Sequence, residues 1–372
     1  MAYTQNNAYG DMVRQIYANQ SSIDQLVAPA NRRAITNADR GAGVTFEFQK
    51  LTDGRTGTLT ANTAETPSGS TEVIPVSIAA YEYGEGEDAE IFPWSLFTLR
   101  ATVNDQLANK IKVVAHKAVT GLNAIGLAHV HTTIGAGTNA AYVHPLGPDD
   151  QGAGVMGWTS PTASSLVRYG TQAGGSRASR ALIDATDVYD VTWLRRQKAR
   201  LITNKAMPLT YTMGGDPVYA LITHPFVLTD LLASMKLNDF PTVMNFIDAS
   251  ALAARGLNVG IVGIYEGVLL LADNNMTYGG VGVGSINVYP AVMVGENFLG
   301  KPFAPPEALP VTLDGGEKIG LPEGAAVYVQ PYGSIHGARQ GVVSWYAYLG
   351  YGVFDPLSQH RLEVASTAGG AI

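Results

Sequence analysis

The chain has 372 residues, of which 46% are hydrophobic and only 15% charged; its net charge is −7 and it contains no cysteine. That length supports a sizeable core, and the lack of cysteine excludes a disulfide framework and any thiolate metal site. An acidic balance with thinly spread Lys and Arg argues against a dedicated nucleic-acid groove. So low a share of charge suits surface covered by other copies of the chain.

Residues 1–40 are polar and mixed. The start, MAYTQNNAYGDMVRQ, has neither the basic end nor the apolar centre of a signal peptide. No run reaches the ~20 apolar residues that span a bilayer. A chain that folds in the cytoplasm without a membrane is expected. Residues 1–40 read as an arm ordered by neighbours, with a short helix over 24–28.

At Val44 the period becomes two: Val44, Phe46 and Phe48 alternate with Thr45, Glu47 and Gln49. A second strand spans 73–78, and Tyr81 and Tyr83 continue its alternation. Between the two lies a Thr-, Gly- and Asn-rich stretch with the turn signal Asp53-Gly54. The pattern predicts a long protruding hairpin that lies on a neighbouring subunit. Residues 84–92 form an acidic turn. Its Glu85, Glu87, Asp88 and Glu90 do not match the spacing of a calcium loop.

Residues 95–127 predict a long amphipathic helix. Leu96, Leu99, Val103, Leu107, Ile111, Val114, Ala118, Leu122 and Ile125 recur at steps of three and four. Ser95 after Pro93 can cap the first turn, and Gly121 and Gly126 weaken the last ones. One apolar stripe on so long a rod needs a sheet or helix to lie along it. Residues 129–185 then lose periodicity and predict an irregular insertion. His129, His131 and His144 near its start lack an evident third metal ligand.

Asp190 is placed to cap a helix through Trp193, Leu194, Gln197, Leu201 and Ile202 to Asn204. This helix carries the densest basic group, Arg195, Arg196, Lys198 and Arg200, which reads as a solvated face. The run VYALIT over 218–223 predicts a buried strand that breaks at His224-Pro225. Helices are predicted at 226–235 and 243–254, and strands at 259–264, 268–272, 286–294, 326–330 and 342–351. Loops fall at 276–285 and 301–324. The second half is therefore mixed α and β.

No constellation carries catalysis. The Gly-rich YGGVGVG over 278–284 lacks the GK[ST] ending of a phosphate loop and precedes a strand. No Gly-x-Ser-x-Gly elbow or HExxH helix occurs. His224 before a proline reads as structural, and Trp193 and Trp345 as core or interface anchors. No catalytic, cofactor or metal residue is assigned, and an assembly protein is favoured over an enzyme.

The order of arm, long hairpin, long helix and mixed α/β domain resembles the major capsid proteins of tailed double-stranded DNA phages. Within them, local stretches resemble the N-four-type major capsid protein family. These are Tyr81-Glu82-Tyr83-Gly84, YALITHPFVLTDLL from Tyr219, GIVGIYEGVLLLA from Gly260, AVMVGENF from Ala291 and GVVSWYAYLGYGVFD from Gly341. The resemblance implies an α+β, Hong Kong 97-type (HK-97-type) capsid fold. It would comprise an N-terminal arm (1–40), an extended β-hairpin loop (41–92) and a peripheral domain (93–204) with spine helix 95–127 and insertion 129–185. An axial domain (205–335) and the return strands of the peripheral domain with a C-terminal tail (336–372) would follow. It further implies pentamers and hexamers closing into an icosahedral shell around double-stranded DNA, without sequence-specific contact. The location is the virion, after assembly in the host cytoplasm. Implied partners are a separate scaffolding protein, a portal and a decoration or cement protein. Some relatives cross-link a hairpin lysine to a neighbour. Lys50 has no matching motif, so no such linkage is expected. The alternatives are an encapsulin-like compartment, a β-rich binding module, and an enzyme centred on His224.

Overall fold

The computed structural model describes residues 23, 26–35, 45–51, 73–84, 90–93, 103–131, 167–171, 177, 179–204, 206–213, 216–235, 261–305, 308–309, 317–320, 324–330, 340–355 and 358–368. Its helices are α1 (Val103–His131), α2 (Val191–Thr203) and α3 (Pro225–Ser234). In chain order the strands begin with β1 (Arg32–Ala34), β2 (Thr45–Leu51), β3 (Val73–Ala79), β4 (Tyr81–Gly84), β5 (Glu90–Pro93) and β6 (Val167–Tyr169). Next come β7 (Leu209–Met213), β8 (Asp216–Thr223), β9 (Ile261–Tyr265), β10 (Val268–Ala272), β11 (Tyr289–Val294) and β12 (Leu299–Phe303). The last are β13 (Glu317–Gly320), β14 (Ala325–Gln330), β15 (Gln340–Leu349), β16 (Gly352–Val353) and β17 (Gln359–Val364).

The predicted stripe becomes the buried face of α1: Ile111, Val114, Ala118 and Leu122 are all buried, with Ala115, Val119 and Leu127 beside them. That face lies along β15, β14 and β5. The helix runs on to His131, past the end expected at Leu127, so His129 and His131 are helical rather than part of an irregular insertion. Gly126 does not end the helix; it admits the arm. A Cβ there would lie 2.7 Å from Ile23 Cγ2. Residues 95–102 lie outside the described residues, as do most of the arm and the helix expected at 243–254.

The described end of the arm is core. Ile23, Leu26 and Val27 are buried in one cluster with α1, and a 3-10 turn at Pro29–Asn31 leads into β1, which pairs parallel with β12. Strands β2 and β3 form the expected antiparallel hairpin, in register from Thr45↔Ala79 to Leu51↔Val73. At its base Ile78 lies where Gly300 and Gly352 would carry side chains. Strands β4 and β5 then leave the hairpin and pair with β15.

Two sheets organise the body. The eight-stranded sheet has the order β1-β12-β15-β14-β13, with β16 on β12 and β4 and β5 on β15. The seven-stranded sheet has the order β6-β17-β11-β8-β10-β9, with β7 on β8. The second sheet is covered on both faces, which explains the continuous apolar run of β8. Val218, Ala220 and Ile222, with Leu269, Leu271, Val292 and Val294, belong to the core that contains α1. Tyr219, Leu221, Val268, Leu270, Met293, Leu362 and Val364 pack with Trp193, Leu194 and Leu201 of α2 and Val227, Leu228 and Leu231 of α3.

Pairing over long sequence distances changes four sequence expectations. The insertion at 129–185 contributes an edge strand, β6, to the seven-stranded sheet. The loop expected at 301–324 contains the end of β12 and all of β13. The strand expected at 286–294 begins only at Tyr289. The late strands do not return to one sheet: β15 joins the eight-stranded sheet, whereas β17 pairs with β11 and β6 in the other. Thus β6 and α2 pack on the seven-stranded sheet, while β12, β13 and β14 belong to the eight-stranded one.

Candidate assembly surfaces

Helix α2 is fixed to the seven-stranded sheet by polar contacts as well as by its apolar face. Asp190 Oδ1 accepts from the Trp193 amide at 2.9 Å, the cap expected from the sequence. Gln197 is buried; its Nε2 donates to the Ala291 carbonyl at 3.0 Å and its Oε1 accepts from the Tyr189 hydroxyl at 2.5 Å. The same Nε2 lies 3.3 Å from His360 Nδ1. Burial, together with the nearby charges of Arg200, Arg168 and Arg361, pushes the His360 pKa down to about 3. His360 is therefore a neutral core residue at neutral pH.

The opposite face of β17 carries charge. Glu363 is fully buried and takes Arg180 through two bonds, Nε to Oε2 at 2.6 Å and Nη2 to Oε1 at 2.8 Å. Arg180 in turn stacks 3.4 Å above the Tyr278 ring centroid, and burial raises the Tyr278 pKa to about 12. Arg361 Nε lies 3.0 Å from Glu363 Oε1, a charge contact without hydrogen-bond alignment, and its Nη1 and Nη2 have no hydrogen-bond partner among the described residues. A second knot holds residues 170–187. Asp187 is buried and accepts from Arg177 Nε at 2.5 Å and from the Thr171 amide at 2.8 Å. Gly170, at φ +71°, is needed there because a Cβ would meet Asp187 Oδ1 at 2.7 Å.

These anchors leave apolar side chains exposed at both ends of β11. At its N-terminal end Leu182, Val281 and Val283 are 47%, 41% and 49% exposed. The Val283 amide donates to the Ile183 carbonyl at 2.9 Å, which joins the two segments into one surface. Gly282 makes that approach possible, since a Cβ would lie 2.8 Å from the Ile183 oxygen. At the other end Ile202 and Met207 are 56% and 58% exposed, where the Glu296 amide donates to the Met207 carbonyl at 2.9 Å. Large exposed apolar side chains in grouped positions mark contact surfaces.

The residues singled out from sequence fall as follows. His224 caps α3: its Nδ1 accepts from the Phe226 amide at 3.2 Å, and its ring packs on Phe226 and Tyr289 with centroids 4.7 Å away. Burial lowers its pKa, with Asp273 opposing. This is a structural histidine. Lys50 stands opposite Ile74 in the hairpin register. Glu90 opens β5, while Glu85, Glu87, Asp88 and His144 lie outside the described residues. The basic group on α2 divides: Arg195 and Lys198 engage Glu266, whereas Arg196 stacks on Trp193. Sequence reading missed Arg168, Arg180, Arg361 and Glu363. The signal was the alternation in QHRLEV, which sends Gln359, Arg361 and Glu363 to one face of an interior strand. Among the described residues no three His, Asp or Glu side chains group as a metal site, and no helix is long and apolar enough to cross a membrane.

The sequence matches no protein-family model and no curated protein. Solved structures, in contrast, match along almost the whole chain. The capsid of Ralstonia phage GP4 is 13% identical, covering 90% of this chain and 87% of that one, with a TM-score of 0.60. The capsid asymmetric unit of cyanophage Pam1 is 13% identical over 92% of both chains, with a TM-score of 0.57. The head of Helicobacter pylori bacteriophage KHP40 is 9% identical over 93% of this chain and 91% of that one, at a TM-score of 0.50. At these identities the likeness is one of fold.

Proposed function

We propose that this chain, which has the α+β, Hong Kong 97-type capsid fold, is a major capsid protein that closes as hexamers and pentamers into the icosahedral shell of a tailed phage. The observation that carries this reading is the extent of the likeness, since about nine-tenths of the chain superposes on capsid chains that are matched over nearly their own full length. The role is structural rather than enzymatic. His224, on which the enzyme alternative is centred, has its Nδ1 engaged in a helix cap.

In this reading the eight-stranded sheet with α1 is the peripheral domain, and the seven-stranded sheet with α2 and α3 is the axial domain around the five-fold and six-fold axes. The β2–β3 hairpin extends over a neighbour. Apolar surfaces at opposite ends of β11 suit head-to-tail contacts, in which different patches meet and the ring closes. A separate scaffolding protein guides closure, a portal occupies one vertex, and a decoration protein binds outside. The shell encloses double-stranded DNA without reading its sequence, in the virion, after assembly in the host cytoplasm.

Electron microscopy and sedimentation velocity on the full chain, expressed alone and with its scaffold, test this. Closed icosahedral shells are expected, and DNA inside particles from infected cells distinguishes a phage shell from a protein-storage compartment. A small fixed oligomer under every condition would overturn the proposal.

A further inference from the structure

Among the described residues, one carboxylate faces the four cations of helix α2. Glu266, at φ 47° in the turn between β9 and β10, accepts Arg195 through Nε at 3.0 Å and Nη2 at 2.6 Å. The Glu266 carbonyl also accepts Lys198 Nζ. This one acidic residue therefore serves two of the four cations on the helix. Arg196 and Arg200 are exposed, stand one turn apart, and have no acidic partner among the described residues. Arg168 reaches the same place from β6, across the sheet edge. The guanidinium carbons of Arg168 and Arg196 lie 4.4 and 4.5 Å from the Trp193 ring centroid, so one indole seats two cations. After burial, the charges of Arg196 and Arg200 are what lower the Arg168 pKa, which places all three close together.

Like charges one helical turn apart are destabilising on their own, and a chain of net charge −7 has carboxylates to place beside them. We propose that Arg168, Arg196 and Arg200 form a contact for the phosphodiester backbone of double-stranded nucleic acid. All three cations are arginines, whose rigid forks match phosphate oxygens. Trp193 is 7% exposed and covered by guanidinium groups, so it stacks no base; single-strand binding needs an open aromatic platform. Among the arginines themselves the same burial leaves no apolar anchor for a protein partner, exposed Ile202 lying beyond them at the end of the helix. What remains is backbone contact without sequence readout. The inference rests on the shell reading and adds to it that the outer face of α2 looks toward the packaged genome.

The test uses the unassembled full chain with a short random-sequence DNA duplex and, separately, poly-glutamate, across a salt series. Binding to the duplex is expected to weaken steeply with salt. In the double variant Arg196→Gln/Arg200→Gln the log–log slope should fall by about 2, at roughly 0.9 for each phosphate no longer neutralised. Arg196→Lys/Arg200→Lys should restore most of the slope. Equal slopes for wild type and the glutamine variant would overturn the proposal. So would a flat wild-type salt dependence, or tighter binding of poly-glutamate than of the duplex; neither of these needs a variant. Shell formation, scored by microscopy on the same proteins, is expected to be unchanged in the glutamine variant. Failure of the wild type to form shells would count against the capsid reading, whereas a reduced duplex slope with shells intact counts for this contact.

Discussion

In β17 the alternation of Gln359, His360, Arg361, Leu362 and Glu363 sends charge to one face of an interior strand and an imidazole to the other. Glu363 is the residue that makes this tolerable, because it faces both Arg180 and Arg361. Glu363→Gln keeps the shape and removes the anion, leaving two buried or half-buried cations uncompensated. We expect it to cost about 3 kcal/mol by urea unfolding, the low end for breaking a buried pair, since Arg180 keeps some access to water. Arg361→Met should be neutral or stabilising by the same assay: it removes a buried cation whose Nη1 and Nη2 have no hydrogen-bond partner among the described residues, while Arg180 still pairs with Glu363. His360 supplies a pH dependence. Its folded pKa, about 3, lies below its ordinary 6.5, so the unfolded chain takes up the proton first. Its contribution is therefore complete above pH 6.5 and is lost as pH falls toward 3. The slope should approach about 1.4 kcal/mol per pH unit for this one proton. Unfolding curves of wild type and His360→Gln should converge as the pH falls through this window.

Helix α1 ties three distant parts of the chain at a single buried side chain. Asn123 Oδ1 accepts the Ile23 amide of the arm at 3.1 Å, and its Nδ2 donates to Asp273, just after β10, at 2.6 Å. Asn123→Leu fills the space but strips both groups of that partner. The expected loss is about 2–6 kcal/mol, at about 1–3 for each of the two polar groups deprived of this partner inside the protein. The signature of the clamp, rather than of general weakening, is local: the Ile23 amide should exchange with deuterium far faster in the variant, while α3 amides change only with global stability. Legibility in the sequence differed between elements for a physical reason. The buried faces of α1 and α2 follow from their own periodicity, and Asp190 from its place before the apolar run. Edge strands β6 and β13 are short and carry no pattern of their own, so only the partner strand makes them strands.

At the scale of the whole molecule, the two exposed apolar surfaces lie at opposite ends of one sheet. A contact of one end against the other repeats around a ring, whereas a contact of like ends stops at two copies. Leu182→Asp with Val283→Asp should therefore block capsomer formation at concentrations where the wild type assembles. Ile202→Asp with Met207→Asp should do the same. Because all four side chains are already exposed, the thermal midpoint of the unassembled chain should barely move in either double variant. Mixing the two variants should not rescue full rings, since a closed ring needs both surfaces intact on every copy; sedimentation velocity reads this directly.

Local sequence by itself determined the hairpin, the amphipathic faces of α1 and α2, the Asp190 cap and the doubly covered strand β8. Each rests on interactions within a few residues or on a periodicity that water imposes. Tertiary structure alone decided how the late strands divide between two sheets, where α1 ends, and that β6 and β13 exist. It also gathered Arg168 with Arg196 and Arg200, and Glu363 with Arg180, from positions whose separation along the chain carries no trace of the contact. Strand pairing and buried charge are settled by which distant groups meet once the apolar faces close, and that is a property of the packed chain.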